Sequence, residues 1–411
     1  MATTTENNTS ILMFPWLAYG HISPFFELAK KLSVRKFHVY FCSIPINLKS
    51  IRDNDFPSSI QLIHSSATAT FIPATPTSLP HNERPPSPSY VYLVIFDFLQ
   101  HWVPEVAMER HLQAVTFLAI GAATSSYLSH YCKYPTIKFP FQERDFTENE
   151  ARRLTELIHD MSDGVSNGER FIKSMRKSSN MILVKTTREI EARYLDYLSV
   201  LTGNKEMVTI GTLMQEPAQS DSSGSDDTYI MNCLNQQIPC SVVHVSFGSE
   251  YFLSMEETHD ISHALELSRA KFVWLVRFHG GEDKLAVEEI VTQGFLERVG
   301  DSGLVVQGWA PQAKILRHRS TGGFVSHCGW SSTLAVSFKL PIIAMPMQLD
   351  QPINAKLVVE LGVGMEVLRK NGIIDREELV KVIREFAVEE EKNYQTIRRR
   401  AENWRKTRFT C

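Results

Sequence analysis

The sequence is poor in the features that would place it outside an aqueous, reducing compartment. Its six cysteines (Cys42, Cys132, Cys233, Cys240, Cys328 and Cys411) are scattered, with no C-x-x-C pair, which excludes a clustered zinc site and suits the cytosol. No apolar run approaches the length of a bilayer span, and MATTTENNTSILMF at the N-terminus has neither the basic start nor the apolar stretch of a signal peptide. The expectation is a cytoplasmic chain with no membrane span, in which the sequons at Asn7 and Asn8 are inert. Charge of one sign is also missing: 43 Lys and Arg stand against 46 Asp and Glu, a formal charge of -3, so there is no basic footprint for nucleic acid. G-x-G-x-x-G and G-x-x-x-x-G-K-[ST] are absent, which argues against a dinucleotide-dependent oxidoreductase and a P-loop enzyme. The expected partners are small molecules, and the expected state is a monomer.

What is present is length and alternation. A chain of 411 residues exceeds what one core serves and predicts two domains of roughly 200 residues each. Short β-rich runs alternate with helical patterns: SILMF (10 to 14), FHVYF (37 to 41), IQLIH (60 to 64), YLVIFDF (92 to 98) and AVTFLAI (114 to 120), then SVVHVSF (241 to 247), FVWLVRF (272 to 278), LVVQGW (304 to 309), GGFVSH (322 to 327) and PIIAMPM (341 to 347). Continuous apolar runs separated by helix-length segments predict parallel α/β sheets covered on both faces. Ser254 with Glu257, and Asp375 with Glu378, read as helix-opening capping boxes. The polar stretch QEPAQSDSSGSDD (215 to 227) reads as a linker, which divides the chain into a first domain at 1–214, a linker region at 215–239 and a second domain at 240–411. Residues 67 to 90 contain six prolines, so no helix runs through them.

Chemistry-bearing residues fall at strand ends. In ILMFPWLAYGHISPFFELAKKL a strand leads to Gly20 and His21, with Ser23 read as the helix cap and Pro24 as the first helical position. Asp97 ends the run YLVIFD, and a carboxylate there can orient a histidine as a base for a hydroxyl nucleophile. The ordinary alternatives are a helix-entry histidine and a turn aspartate. In the second half, Gly248 and Ser249 follow one strand, while His327, Gly329, Ser331 and Ser332 follow another. Two such turns point to a pyrophosphate, although each serine alone is ordinarily a helix cap. Asp53-Asn54-Asp55 reads as a solvated turn, and Cys328 as a small packed residue.

Taken together, WAPQAKILRH (309 to 318), GFVSHCGWSS (323 to 332) and PMQLDQP (346 to 352) closely resemble the signature box of plant family 1 UDP-glycosyltransferases. MFPWLAYGHISPFFELAKKL, SFGSEYF and GFLERVGDSGLVVQGWAPQAKIL extend the likeness over most of the chain, and it looks most like the branch-forming subgroup that adds a sugar to a sugar of a flavonoid or terpenoid glycoside. The resemblance implies a GT-B fold, two Rossmann-like domains with parallel sheets facing across a cleft, the first binding the acceptor and the second the UDP-sugar. It implies His21 as general base and Asp97 as its orienter. It places Trp309, Ala310 and Gln312 at uracil, Gly20, Ser249, His327, Gly329, Trp330, Ser331 and Ser332 around the phosphates and donor, and Asp350 with Gln351 on the sugar hydroxyls. It implies a single inverting displacement with UDP-glucose as donor co-substrate, and neither a metal nor another cofactor.

The sequence departs from the family box where its ribose-binding Glu becomes Ala335, where the run to Pro341 is one residue short, at Ser331 for the usual Asn, in the proline-rich segment, and at Cys411, where the family continues a helix. Ile120 also stands where relatives often carry Thr. These departures keep a second reading open: a degenerate relative without catalytic activity.

Overall fold

β-Branched and aromatic runs with both neighbours apolar become strands buried on two sides, and this chain has two sets of them. The computed structural model describes residues 9–45, 47, 57, 59–64, 91–141, 145–214, 225–277, 287–370, 373–387 and 392–403. The first set is β1 (Ser10–Phe14), β2 (His38–Ser43), β3 (Ile60–His64), β4 (Val91–Asp97), β5 (Gln113–Leu118), the small hairpin β6 (Met161–Ser162) and β7 (Val165–Ser166), β8 (Met181–Val184) and β9 (Glu206–Thr209). Seven of these form a parallel sheet in the order β3-β2-β1-β4-β5-β8-β9. The second set is β10 (Val242–Ser246), β11 (Lys271–Val276), β12 (Gly303–Gln307), β13 (Thr321–Ser326), β14 (Ile342–Ala344) and β15 (Gly364–Glu366), parallel in the order β12-β11-β10-β13-β14-β15.

The two-residue period of a strand sends alternate side chains to opposite faces. In β1, Ile11 and Met13 pack with Phe25 and Phe117 in one core, while Leu12 and Phe14 pack with Phe96 and Val103 in the other. The second sheet repeats this, with Val243, Val245 and Trp274 on one side and Val242, Val273 and Ile315 on the other. Both sheets are therefore covered twice, as the continuous apolar runs require.

The described residues pack as two units. One holds the chain up to Pro140 and from Glu156 to 214; the other holds Phe141–Thr155 and the chain from 225 onward. The inserted piece Phe141–Thr155 includes the start of the helix Glu148–His159.

The structure moves several sequence-based boundaries. The helix after β1 runs Tyr19–Val34, capped by the extended backbone of Ala18, so Ser23 is inside it and Pro24 is no longer at its first position. His21 and Ile22 N–H both bond Ala18 O at 3.0 Å, and that turn forms ahead of the proline, whose ring withholds only the N–H an unbroken helix would direct at Gly20. PIIAMPM yields a strand only at Ile342–Ala344 because the chain turns away after it. The strands β6, β7, β8, β9 and β15 go beyond the sequence-based expectation: they are two to four residues long, too short for periodicity to mark them clearly. The Ser254–Glu257 capping box is complete, and Asp375 Oδ1 accepts from Glu378 N. The proline-rich 67–90, Asp53 to Asp55, Asn7 and Asn8, 404–411 and most of the 215–227 linker lie outside the described residues.

Candidate functional site

In a parallel sheet, a crevice opens at the carboxyl ends of the two strands where the chain changes direction across the sheet. In the first unit that point lies between β1 and β4. Asp97 is the last residue of β4, fully buried, with Oδ1 accepting from Leu99 N at 3.0 Å. His21 stands in the first turn of the helix after β1, and its Nδ1 lies 2.7 Å from Asp97 Oδ2. The histidine side chain is 18% exposed and the aspartate 0%, so the pair has a buried anchor and a reachable ring. The positive end of a helix opposes an imidazolium, and the buried carboxylate supplies the compensating charge. A base in this arrangement acts through Nε2, with its Nδ1–H donated to Asp97. Gly20 is exposed in the same turn.

The second unit's switch point lies between β10 and β13. Gly248 follows β10 with φ of +80°, and a Cβ added there would lie 2.5 Å from His327 Nε2; Gly329 leaves the same 2.5 Å. The His327 ring is thus boxed by two glycine backbones, an approach that no side-chain-bearing residue permits. Burial pushes the His327 pKa down to about 4, the Ser246 backbone opposing in part, so the ring is neutral at physiological pH. Its buried Nδ1 has no hydrogen-bond partner among the described residues. Cys328 is buried in the left-handed region, at φ of 63°, with its thiol pKa driven far up by burial, which removes it as a nucleophile.

Gly329 caps a helix of only four residues, Trp330–Thr333. Ser332 N–H is spent on Gly329 O at 2.8 Å, so its hydroxyl is the group left to meet a phosphate. Ser331 is exposed, Ser249 and Ser332 half-buried, and Trp330 buried. The chain then tightens into the 3-10 turn Leu334–Phe338. With ~2.0 Å of rise per residue against ~1.5 Å in an α-helix, this winding spans the shortened run to Pro341. Ala335 within it is fully buried, so no ribose-binding carboxylate stands at that place.

Trp309 follows β12, 59% exposed, with the Arg277 guanidinium 5.0 Å from its ring centroid. Ala310 is buried, and Gln312 opens the helix Gln312–Arg317. The turn after β14 carries Asp350 and Gln351. Gln351 is buried, and its Oε1 accepts from Met347 N at 2.8 Å and Gln348 N at 2.9 Å. Asp350 Oδ2 accepts from Asn354 Nδ2, which also donates to Cys328 O, both at 2.9 Å. Sequence reasoning missed Asn354; its signal was the four-residue spacing after Asp350 on one helix. Ser249, Trp309, Ala310, Gln312, His327, Gly329, Trp330, Ser331, Ser332, Asp350 and Gln351 all belong to the second unit, while Gly20, His21 and Asp97 belong to the first. Among the described residues, no three His, Cys, Asp or Glu side chains are grouped to hold a metal, and no helix is long and apolar enough to cross a membrane.

A family model described as "UDP-glucoronosyl and UDP-glucosyl transferase" matches residues 227–395. The chain is 42% identical to a flavanone 7-O-glucoside 2''-O-beta-L-rhamnosyltransferase of Citrus maxima, over 98% of this chain and 93% of that one. It is likewise 42% identical to a mogroside IIIx synthase of Siraitia grosvenorii, over 96% and 88%. Among solved structures, a UGT transferase from Siraitia grosvenorii in complex with UDP superposes with a TM-score of 0.74 at 24% identity, covering 97% of this chain and 95% of that one. That likeness establishes the GT-B fold.

Proposed function

The chain belongs to the UDP-glucuronosyl and UDP-glucosyl transferase family and is a UDP-glycosyltransferase, and we propose that it moves glucose from UDP-glucose to a sugar hydroxyl of a flavonoid or terpenoid glycoside. The observation that carries the chemistry is the His21–Asp97 pair, 2.7 Å apart with the carboxylate buried. A sugar hydroxyl is too weak an acid to lose its proton to imidazole in advance, so the proton passes to His21 as the oxygen attacks the anomeric carbon. The new C–O bond forms as the bond to UDP breaks, which inverts the carbon, and UDP departs with the bonding pair. Asp97 stabilises the imidazolium formed in that step.

In this reading the first domain, residues 1–214, takes the acceptor and the second, residues 240–411, the donor, joined through 215–239. Trp309, with Ala310 and Gln312 beside it, offers an exposed ring face for uracil. Ser249, Ser331, Ser332 and the neutral His327 offer hydrogen bonds to the pyrophosphate, with Gly329 and Trp330 forming the surrounding backbone and walls. Asp350 and Gln351 bind the sugar. Fixed donors stabilise the leaving UDP, so the reaction needs no metal and no further cofactor. The acceptor class is supported by the Citrus relative, whose name states transfer to a hydroxyl of a flavanone glucoside. In the same reading the chain is a cytoplasmic monomer, and a formal charge of -3 leaves no basic footprint for nucleic acid.

The test is UDP release from UDP-glucose with a flavanone 7-O-glucoside as acceptor. Turnover by purified protein that disappears in His21→Ala supports the reading; turnover unchanged in that variant overturns the assigned base. UDP-rhamnose run in parallel decides the donor.

A further inference from the structure

The turn Pro346 to Asp350 is not a conformation the chain adopts without support. Leu349 lies at φ of 56°, in the left-handed region that disfavours a branched side chain, and its side chain is exposed. The turn is gripped most closely at Met347. Met347 N–H donates to Gln351 Oε1, and Met347 Sδ meets Arg369, itself paired with Glu257 at 3.3 Å. Met347 C=O accepts from Arg153, which lies in the helix Glu148–His159, 194 positions earlier in the chain. A second tie runs alongside. Lys356, on the helix Gln351–Glu360 that starts at the turn, pairs with Glu150 at 3.6 Å and Glu366 at 3.0 Å, and sits 5.9 Å over the Phe146 ring. All of these residues belong to one unit.

We propose that Arg153 is a positioning residue for the donor sugar: by holding the Met347 carbonyl it fixes the strained turn from which Asp350 and Gln351 reach the hexose. The proposal rests on the assignment of Asp350 and Gln351 to the sugar. Gln351 explains why a remote arginine matters. Its carbonyl oxygen is committed to the backbone N–H groups of Met347 and Gln348, so its amide plane is set by that peptide and moves with it. The guanidinium fixes the opposite side of the same residue by its carbonyl. Its charge also acts on Tyr251, where it joins Arg369 in opposing the rise that burial and Glu257 cause, which leaves the phenol pKa at about 12. Tyr251 follows directly on Ser249 and Glu250, and Gln348 Nε2 donates to Glu250 O at 3.4 Å. The sugar turn and the phosphate turn are thereby fastened to each other, with Arg153 beside both.

The experiment is calorimetric titration of UDP and, separately, of UDP-glucose into the full chain, with thermal melts alongside, for wild type, R153M, R153K and Q351A. R153M keeps the stem and removes every donor. The expected result is UDP affinity within about twofold of wild type, UDP-glucose affinity about tenfold weaker, an unchanged melt, and partial recovery in R153K. Equal loss for both ligands in R153M and R153K would mean a general structural role and overturn the proposal, as would unchanged binding of both. If R153M does not fold, R153K decides: a loss confined to UDP-glucose supports the proposal, and wild-type binding overturns it. Q351A separates the premise from the inference. If it weakens UDP-glucose selectively while the Arg153 variants do not, the proposal fails alone. If it leaves UDP-glucose binding untouched, the sugar assignment fails and takes the proposal with it.

Discussion

His21 and His327 each stand beyond a strand at the point where a parallel sheet reverses its order, yet their surroundings are opposite. His21 has a carboxylate 2.7 Å from one ring nitrogen and 18% of its side chain exposed. His327 is pressed between two glycine backbones, its pKa driven down to about 4 by burial. The first is built to gain a proton, because the charge it acquires meets a buried anion. The second is built to stay neutral, because burial penalises the charge. In the proposed reaction the same side chain is a base in one unit and an uncharged polar group in the other, and the difference lies in what is packed against it.

The sharpest way to test this contrast is to delete each ring. His21→Ala is expected to lower kcat by about 10²- to 10⁴-fold while calorimetric UDP-glucose binding stays at wild type. His327→Ala is expected to reverse the pattern, with binding lost first. If both variants lose binding and turnover in the same proportion, the two histidines do not have separate tasks.

Next in size is Asp97→Asn. An amide can still accept from Leu99 N, which now donates to Asp97 Oδ1 at 3.0 Å, so the turn survives, but it no longer neutralises an imidazolium. We expect a loss of about ten- to a thousand-fold in kcat, with KM for the donor unchanged. A wild-type rate would show that His21 needs no counter-charge.

How much of this was legible in the sequence depends on how far apart the partners lie. His21 and Asp97 could be found because each is a polar residue at the end of an apolar run, and strand ends are where parallel sheets bind. Gly248 and Gly329 could be found as turns, but not as the two walls of one imidazole, because that requires the register of β10 against β13. Asn354 and Arg153 carried no local signal for their bonds to Cys328 O and Met347 O, whose partners are set by packing alone. Pro24 misled because a proline is most often read as a first helical residue, whereas here a turn capped by Ala18 forms ahead of it.

A smaller effect probes the walls of the second histidine. At Gly248, an alanine must both hold φ of +80° and place its Cβ 2.5 Å from His327 Nε2; at Gly329 only the second penalty applies. Gly248→Ala is therefore expected to weaken UDP by about 10- to 100-fold, equal to ~1.4 to 2.8 kcal/mol, and Gly329→Ala by less. Equal affinities in all three proteins would mean that the ring is not held where the phosphates bind.

The gentlest test titrates the buried ring without touching it. His327 and another buried histidine, His244, both have pKa values pushed down to about 4 by burial, against ~6.5 in an unfolded chain. Between those values the unfolded state binds more protons than the folded one, so stability rises with pH there and falls on acidification. The contribution is complete above about pH 6.5, declines through the window, and by pH 5 costs ~2 kcal/mol for each ring. Melts at pH 7.5 and pH 5 should show this as a drop of several degrees. His244 stacks on Phe324 with centroids 5.2 Å apart and a buried Nε2 without a partner among the described residues. His244→Phe should therefore remove about half of the drop and keep the packing. UDP-glucose affinity should stay flat across the upper part of the same window, since the ring that the proposed reaction assigns to the phosphates does not change charge. An inflection in that affinity between pH 6 and 7 would mean that His327 takes up a proton while donor is bound, and the division of labour between the two histidines would have to be drawn again.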